Sequence, residues 1–146
     1  MVVNKENGII AKQKNIQWIM ALDVGQKKTG VAVGQTITKT AKPLKIIRCP
    51  IGQLKASLFA EIVKEWRIDA IVIGLPVHKD TTEHPLHKSI IRLVEDCQLE
   101  FVLPVFVIEE YLTSHEAKKR DAKARYIDAM AASIIAEDWL AQNVNE

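Results

Sequence analysis

Acidic side chains stand at the ends of predicted secondary-structure elements, where they could support metal-dependent chemistry. Asp23 follows the apolar run 16–22 and precedes Gly25, so it lies at the carboxyl end of a predicted buried strand. Strand ends of this kind border the binding crevice of an α/β sheet. Because a carboxylate there is costly without a cation, the sequence predicts a metal ion or a neighbouring lysine beside Asp23.

Other acidic positions could join Asp23 at the same edge. Glu109 and Glu110 end a predicted fifth strand, and Asp128 begins a predicted last helix. The ends of the first and fifth strands can meet at one side of the crevice, with the helix start packed above them. Such a set of oxygen ligands suits Mg²⁺ or Mn²⁺. Two ions of this type can activate water and stabilise the leaving oxygen of a phosphodiester.

Each of these acids also has a purely structural interpretation. Asp23 could pair with a lysine in the turn that follows it, and Asp128 could be an N-cap or first-turn acid favoured by the helix dipole. Glu109 and Glu110 could form a solvated strand exit. Adjacent strand residues face opposite ways, so the residues alone do not decide which of the two glutamates faces the site.

A second chemical signal is the absence of acidic residues between Val24 and Ala60. The whole chain has a net charge of only +2, so its acids and bases are segregated along the sequence. The basic residues of this stretch are Lys27, Lys28, Lys39, Lys42, Lys45, Arg48 and Lys55. A surface of one sign attracts polyanions, which predicts a nucleic-acid partner. The alternative is a solvated basic hairpin.

The elements that must position these residues form an α/β order. Predicted strands cover 16–24, 30–34, 41–48, 69–74 and 101–108, and predicted helices cover 53–66, 86–97 and 127–142. Thr113–Glu116 fits a capping box that opens a further, basic helix. The order predicts a mixed five-stranded sheet, three antiparallel strands followed by parallel ones, with helices on both faces.

Two details of this prediction concern the ends and faces of elements. Pro76 is expected to end the fourth strand, and Pro104 to delay the start of the fifth, because proline cannot donate to a strand ladder. The last helix is expected to turn an apolar set inward: Met130, Ala131, Ile134, Ile135, Ala136 and Trp139.

The composition bounds the class of protein. A chain of 146 residues with 48% apolar content predicts one globular domain over 16–146, preceded by a flexible polar arm over 1–15. No apolar run reaches the length of a membrane span, and the arm lacks the apolar core of a secretory signal. Cys49 and Cys97 fit neither a disulfide framework nor a zinc site. The sequence therefore predicts a cytoplasmic protein without a membrane partner.

Four motifs in order resemble the YqgF/RuvX family. They are ALDVGQKKTGVAVG at 21–34, IGLP at 73–76, EEYLTSHEA at 109–117 and IDAMAA at 127–132. The resemblance covers about 18–142 and implies a ribonuclease H-like fold. It also implies a metal-dependent nuclease that matures pre-16S rRNA or resembles Holliday junction resolvases. Carried over by position, Asp23, Glu110 and Asp128 would be the metal-binding, catalytic carboxylates, with Glu109 as a further possible ligand.

The chain departs from the family pattern at two places. The family has Asp-Glu-Arg where this chain has Glu109-Glu110-Tyr111, so one acid is longer and a fixed cation is lost. The segment between Glu116 and Asp128 also looks shorter than is usual in the family. Both departures bear on the choice of substrate.

The leading hypothesis is a Mg²⁺- or Mn²⁺-dependent nuclease acting on a structured rRNA precursor in ribosome biogenesis. Lys27, Lys28 and Lys42 would contact backbone phosphates, and the protein would be a monomer or homodimer. Alternatives are a nuclease for branched DNA and a non-catalytic RNA-binding assembly factor. An actin-like ATPase would need two domains facing one nucleotide, which one domain of this length does not supply.

Overall fold

The computed structural model describes residues 16–78, 85–112 and 124–144, with the backbone alone described for His78, Tyr111, Leu112 and 124–128. The predicted arm over 1–15 and the capping box with its basic helix lie outside these residues. The strands are β1 (Trp18–Val24), β2 (Lys28–Gln35), β3 (Thr40–Arg48), β4 (Ala70–His78) and β5 (Val105–Leu112). The helices are α1 (Ala60–Glu65), α2 (His87–Phe101) and α3 (Ala124–Asn143), and 3₁₀ turns at Ile51–Gln53 and Ala56–Phe59 precede α1.

The strands form one five-stranded sheet in the order β3-β2-β1-β4-β5. β1, β2 and β3 pair as an antiparallel meander, whereas β4 is parallel to both β1 and β5. The short links of the meander permit antiparallel pairing, and the helical crossover before β5 permits parallel pairing. The mixed sheet predicted from the sequence is therefore confirmed.

Helices cover both faces of this sheet, as predicted. On one side, called the α1/α2 face, the strand residues Met20, Leu22, Val31 and Val33 pack with apolar residues of α1 and α2. On the other, called the α3 face, Ile19, Ala21, Ala32, Val72 and Phe106 pack against α3. Successive strand residues alternate between the two clusters, so every residue of the central strands can be assigned to a face.

The predicted helix over 53–66 is wrong in its first half. Lys55 has an extended backbone, and the Ala56 amide donates to Asp96 Oδ2 on α2 at 2.7 Å. The chain therefore turns at this point, and an α-helix begins only at Ala60. Leu58, which fitted the helical spacing, is 42% exposed.

The fifth strand starts directly after Pro104, as predicted, but the helix before it runs past Cys97, where it was predicted to end. Phe101 ends α2, Val102 adopts the left-handed conformation with φ 53°, and β5 begins at Val105. Phe101 lies one helical turn after Cys97 and packs against the same apolar cluster, which keeps the helix intact to that point. Pro104 then prevents further helix.

β4 continues past Pro76 to His78, contrary to the prediction. β1 pairs with β4 only from Ala70 to Ile73, so beyond that point β4 has β5 as its one neighbour in the sheet. Proline is tolerated where a strand has a free side, because its missing N–H then removes no ladder bond.

The inward face of α3 differs from the prediction. Met130 and Ile134 are exposed, 47% and 45% respectively, whereas Ala132 and Leu140 are fully buried. The buried stripe is thus Ala131, Ala132, Ile135, Ala136, Trp139 and Leu140. Small alanines let the helix approach the sheet closely. The large side chains of Met130 and Ile134 therefore do not mark the buried face, although their size suggested it.

No helix among the described residues combines the length and apolar character that crossing a membrane requires.

Candidate active site

Asp23 stands beside a tight hairpin that joins β1 to β2. The Gly25 amide donates to the Lys28 carbonyl oxygen at 2.9 Å, which closes the turn around Gln26 and Lys27. A Cβ on Gly25 would lie 2.9 Å from the same oxygen, so this position requires glycine.

The residues that follow β3 form backbone hydrogen bonds with this hairpin turn. The Cys49 amide donates to the Lys27 carbonyl at 3.1 Å, and the Ile51 amide donates to the Gln26 carbonyl at 2.9 Å. Both carbonyls of the turn are thereby satisfied by backbone, which fixes the turn and the lysines it carries relative to Asp23.

The side chain of Asp23 lies on the α3 face of the sheet. Ile19 and Ala21 belong to the cluster under α3, and Asp23 continues that alternation along β1. Asp23 is half-buried. A carboxylate in this position is partly desolvated and is stabilised by cations placed near it.

The two glutamates of β5 lie on opposite faces. Phe106 and Ile108 pack under α3, so Glu110 shares their face and that of Asp23. Val105 and Val107 pack in the cluster on the α1/α2 face, which places Glu109 on that side. Glu110 is half-buried, whereas Glu109 is exposed.

Gly74 of β4 lies between the strands that carry Asp23 and Glu110. A Cβ placed on it would lie 2.5 Å from Ile135 Cδ1 of α3 and 3.8 Å from Glu110 Cγ. Glu110 pairs along the backbone with Pro76, so its side chain leans back over Gly74 toward β1. The position requires glycine because Ile135 occupies the place of a Cβ, whereas Glu110 would only be in van der Waals contact with one.

The direction of α3 places Asp128 at the same edge. Leu140 lies near Gly34 and Ile19, at the amino end of β1, whereas Ile135 lies over Gly74 toward the carboxyl ends of the strands. The helix therefore runs antiparallel to β1, and its first turns extend past Gly74. Position 128 precedes Ile135 by seven residues, two turns, and so lies on the same side of the helix about 10 Å nearer its start.

Asp128 is not at the helix terminus. The helix begins at Ala124, which places Asp128 in its second turn and excludes an N-cap role for it. The backbone thus brings Asp23, Glu110 and position 128 to one edge and one face of the sheet. Among the described side chains, which do not include that of Asp128, no group of three potential metal ligands is found.

The predicted phosphate-binding lysines do not lie together. Lys28 alternates with Gly30 and Ala32 on β2 and so lies on the α3 face, and Lys27 is exposed in the turn beside it. Lys42 pairs with Val33 near the amino end of β1, and its ammonium lies 4.7 Å from the centroid of the Trp66 ring. Lys42 is therefore on the α1/α2 face, far from Asp23.

His87, the first residue of α2, forms a hydrogen bond with the backbone near the end of β4. Its Nε2 lies 3.0 Å from the Pro76 carbonyl oxygen, and since a carbonyl only accepts, Nε2 carries the donated proton. Pro76 pairs with Glu110, so this bond fixes the strand against which Glu110 is aligned. No motif in the sequence indicates this role.

The fold is ribonuclease H-like, as the comparison with solved structures shows. The chain matches Thermus thermophilus RuvC in complex with a Holliday junction substrate with a TM-score of 0.54 and 13% identity, covering 86% of this chain and 94% of that one. The fowlpox virus Holliday junction resolvase matches with a TM-score of 0.54 and 15% identity, covering 88% of this chain and 99% of that one.

The family follows from sequence. Residues 17–142 match the family model RuvX, described as Holliday junction resolvase. A relative from Albidiferax ferrireducens is 41% identical over 86% of this chain and 79% of its own length, and one from Paraburkholderia xenovorans is 36% identical over 84% and 86%. Both carry the name "Putative pre-16S rRNA nuclease". This chain belongs to the RuvX family.

Proposed function

We propose that this protein is a divalent-metal-dependent nuclease that hydrolyses phosphodiester bonds of a structured rRNA precursor in the cytoplasm, at the 5′ end of pre-16S rRNA. The observation that carries the proposal is the placement of Asp23 and Glu110 on one face of the sheet, both half-buried, across Gly74. The names of the relatives supply the substrate.

The residues at this edge fit a hard divalent cation. Asp23 and Glu110 offer only carboxylate oxygens, the ligands that Mg²⁺ and Mn²⁺ prefer, and their strands lie on either side of β4 with both residues on the α3 face. Asp23, Glu110 and Asp128 would hold the metal. When bound, it would lower the pKa of a coordinated water and stabilise charge on the phosphate.

The remaining parts of the site position the substrate. Lys28 shares the face of Asp23, and Lys27 extends from the adjoining turn, so both are placed to pair with phosphates that approach the carboxylates. The backbone bonds from Cys49 and Ile51 keep that turn rigid. A preorganised site of this kind loses little free energy in ordering itself around a substrate.

The decisive experiment compares the full-length wild type with Asp23→Asn on a labelled pre-16S rRNA fragment, with Mg²⁺, Mn²⁺ or EDTA. We expect cleavage by the wild type with either metal and none with EDTA. Because Asp23→Asn removes a charged ligand while keeping its shape, cleavage should fall by more than about a hundredfold. Circular dichroism and thermal unfolding of the variant serve as the control for folding.

Normal cleavage by Asp23→Asn would show that the carboxylate edge is not the active site. RNA binding without cleavage, equal in both proteins, would instead favour the non-catalytic assembly factor. Tyr111, which replaces the arginine of the family motif, motivates that alternative.

A second substrate has support from a specific observation. The fold matches RuvC bound to a Holliday junction, and the family model is described as Holliday junction resolvase. A four-way DNA junction added to the same assay, as substrate and as competitor, separates the two. Cleavage of the junction in preference to the RNA would replace the rRNA precursor as the proposed substrate.

A further inference from the structure

The edge strand β3 contains an irregularity close to the proposed active site. Its ladder with β2 is continuous except between Val31 and Ala32, whose partners are Lys45 and Pro43. Leu44 is left over, so Leu44 and Lys45 together oppose one residue of β2. This is a β-bulge, which bends a strand and changes which face its later residues occupy.

The bulge determines the face of Arg48. Ala41 packs under α3, and uninterrupted alternation from it would place position 47 under α3 and position 48 on the α1/α2 face. With the extra residue, Ile47 instead packs in the cluster on the α1/α2 face. Arg48 is therefore on the α3 face, the face of Asp23.

Arg48 stands directly beside Lys28. The two residues are paired across β2 and β3, and Asp23 pairs with Gly30 of the same β2 strand. Arg48 is exposed. Two cationic side chains therefore lie next to each other on the α3 face, where successive phosphates of one nucleic-acid strand could contact both.

We propose that Lys28 and Arg48 form a phosphate-binding strip that guides an RNA strand from Asp23 across β2 to the open edge of the sheet at β3. This inference rests on the proposed nuclease function and adds the path of the substrate. The guanidinium of Arg48 suits this position, because its planar donors bind a phosphate bidentately. Lys42, on the opposite face against Trp66, lies off the path.

The test uses Arg48→Gln with Lys45→Gln as its matched control. Both residues are exposed, lie on β3 and lose one positive charge, but Lys45 pairs with Val31 and faces the α1/α2 side. Binding of a labelled pre-16S rRNA fragment to the full-length protein is measured in EDTA over a series of salt concentrations. The slope of log K against log salt reports the number of phosphate contacts.

We expect Arg48→Gln to weaken binding and to reduce the salt slope by about one, while Lys45→Gln leaves the slope unchanged. Arg48→Lys should restore the slope but only part of the affinity, since the bidentate contact is lost. Equal changes of the salt slope in the two Gln variants, or an unchanged slope in Arg48→Gln, would refute the proposed strip. Failure of the wild type to bind RNA would overturn it as well.

The same assay separates this inference from the proposed function. Asp23→Asn should bind RNA with the wild-type salt slope while it fails to cleave. A wild type that binds with an Arg48-dependent slope but never cleaves with Mg²⁺ or Mn²⁺ would refute the nuclease and leave the strip standing. Metal-dependent cleavage by a wild type whose salt slope does not depend on Arg48 would support the nuclease and refute the strip.

Discussion

Glu109 and Glu110 are adjacent in sequence and lie on opposite sides of the sheet. The residues alone left the choice between them open, because alternation shows only that they differ. The structure shows which face α3 covers, and Glu110 lies on it with Asp23. We therefore propose that Glu110 is a metal ligand and that Glu109 does not bind the metal.

This pair gives a prediction with an internal control. Glu110→Gln should reduce metal-dependent cleavage by at least about a hundredfold, because it removes a charged ligand. Glu109→Gln should retain most of the activity. Cleavage rates at saturating Mn²⁺, with Mn²⁺ titrations of both variants, provide the measurement. A larger loss in Glu109→Gln than in Glu110→Gln would mean that the assignment of faces does not describe the working site.

The site residues that sequence alone could place are those tied to local chain features. Asp23 ends an apolar run before a glycine turn, and the structure puts it there. Lys42 could not be placed, because its face and level depend on the register of a hairpin and on the aromatic ring of Trp66, distant in sequence. The face of Arg48 could not be predicted either, since it depends on a β-bulge that no sequence pattern indicated.

At the scale of elements, β2 contains a buried polar group that its sequence does not explain. Thr29 is fully buried beside Val24 and Ile47, and its Oγ1 has no hydrogen-bond partner among the described residues. An orphaned buried hydroxyl costs free energy, because it gives up water without gaining a bond.

Replacing this hydroxyl should therefore stabilise the protein. We expect Thr29→Val, which keeps the shape of the side chain, to raise the free energy of unfolding by about 1 kcal/mol. Thr29→Ser, which keeps the hydroxyl and loses a buried methyl, should lower it by a similar amount. Urea unfolding of the three proteins measures both effects. A destabilised Thr29→Val would reveal a partner outside the described residues.

Predictions of elements failed where a contact distant in sequence decided the local structure. The helix over 53–66 fitted a helical spacing, but the bond from the Ala56 amide to Asp96 stops the helix before Ala60. The end of α2 was misplaced at Cys97 because packing of Phe101 prolongs the helix. Neither contact can be read from its own segment.

At the scale of the whole molecule, the stability should depend on pH through one buried thiol. Cys97 is fully buried on α2, and the structure contains it as a free thiol. Burial, then the neighbouring Asp96 and Glu100 carboxylates, raise its pKa from 9.0 to about 12. The folded protein therefore keeps this proton at pH values where the unfolded chain loses it.

The sign of the effect follows from linkage. Below pH 9.0 both states bind the proton and the contribution is constant; between 9.0 and about 12 only the unfolded thiol ionises, so the free energy of unfolding falls as pH rises. The slope from this group is at most about 1.4 kcal/mol per pH unit. Urea unfolding from pH 8 to 11 should show a shallower slope in Cys97→Ala than in the wild type.

The mixed sheet and the two covered faces were predictable from sequence because they depend on the order of elements and on apolar periodicity, which are properties of the entire chain. The placement of Asp23, Glu110 and position 128 at one edge of the sheet was predictable only as a consequence of that topology. The close approach of Ile135 to Gly74, which brings α3 against this edge, depends on packing between distant segments and was not predictable.

The antiparallel meander has a consequence for how the protein is made. Asp23, Lys28 and Arg48 all lie within β1, β2 and β3, which pair through contacts close in sequence and can form early during synthesis. Glu110 joins only after β4 and β5 pair in parallel, and Asp128 only when the last helix docks. The proposed phosphate-binding strip would thus be complete on a nascent chain before the proposed carboxylate site is assembled.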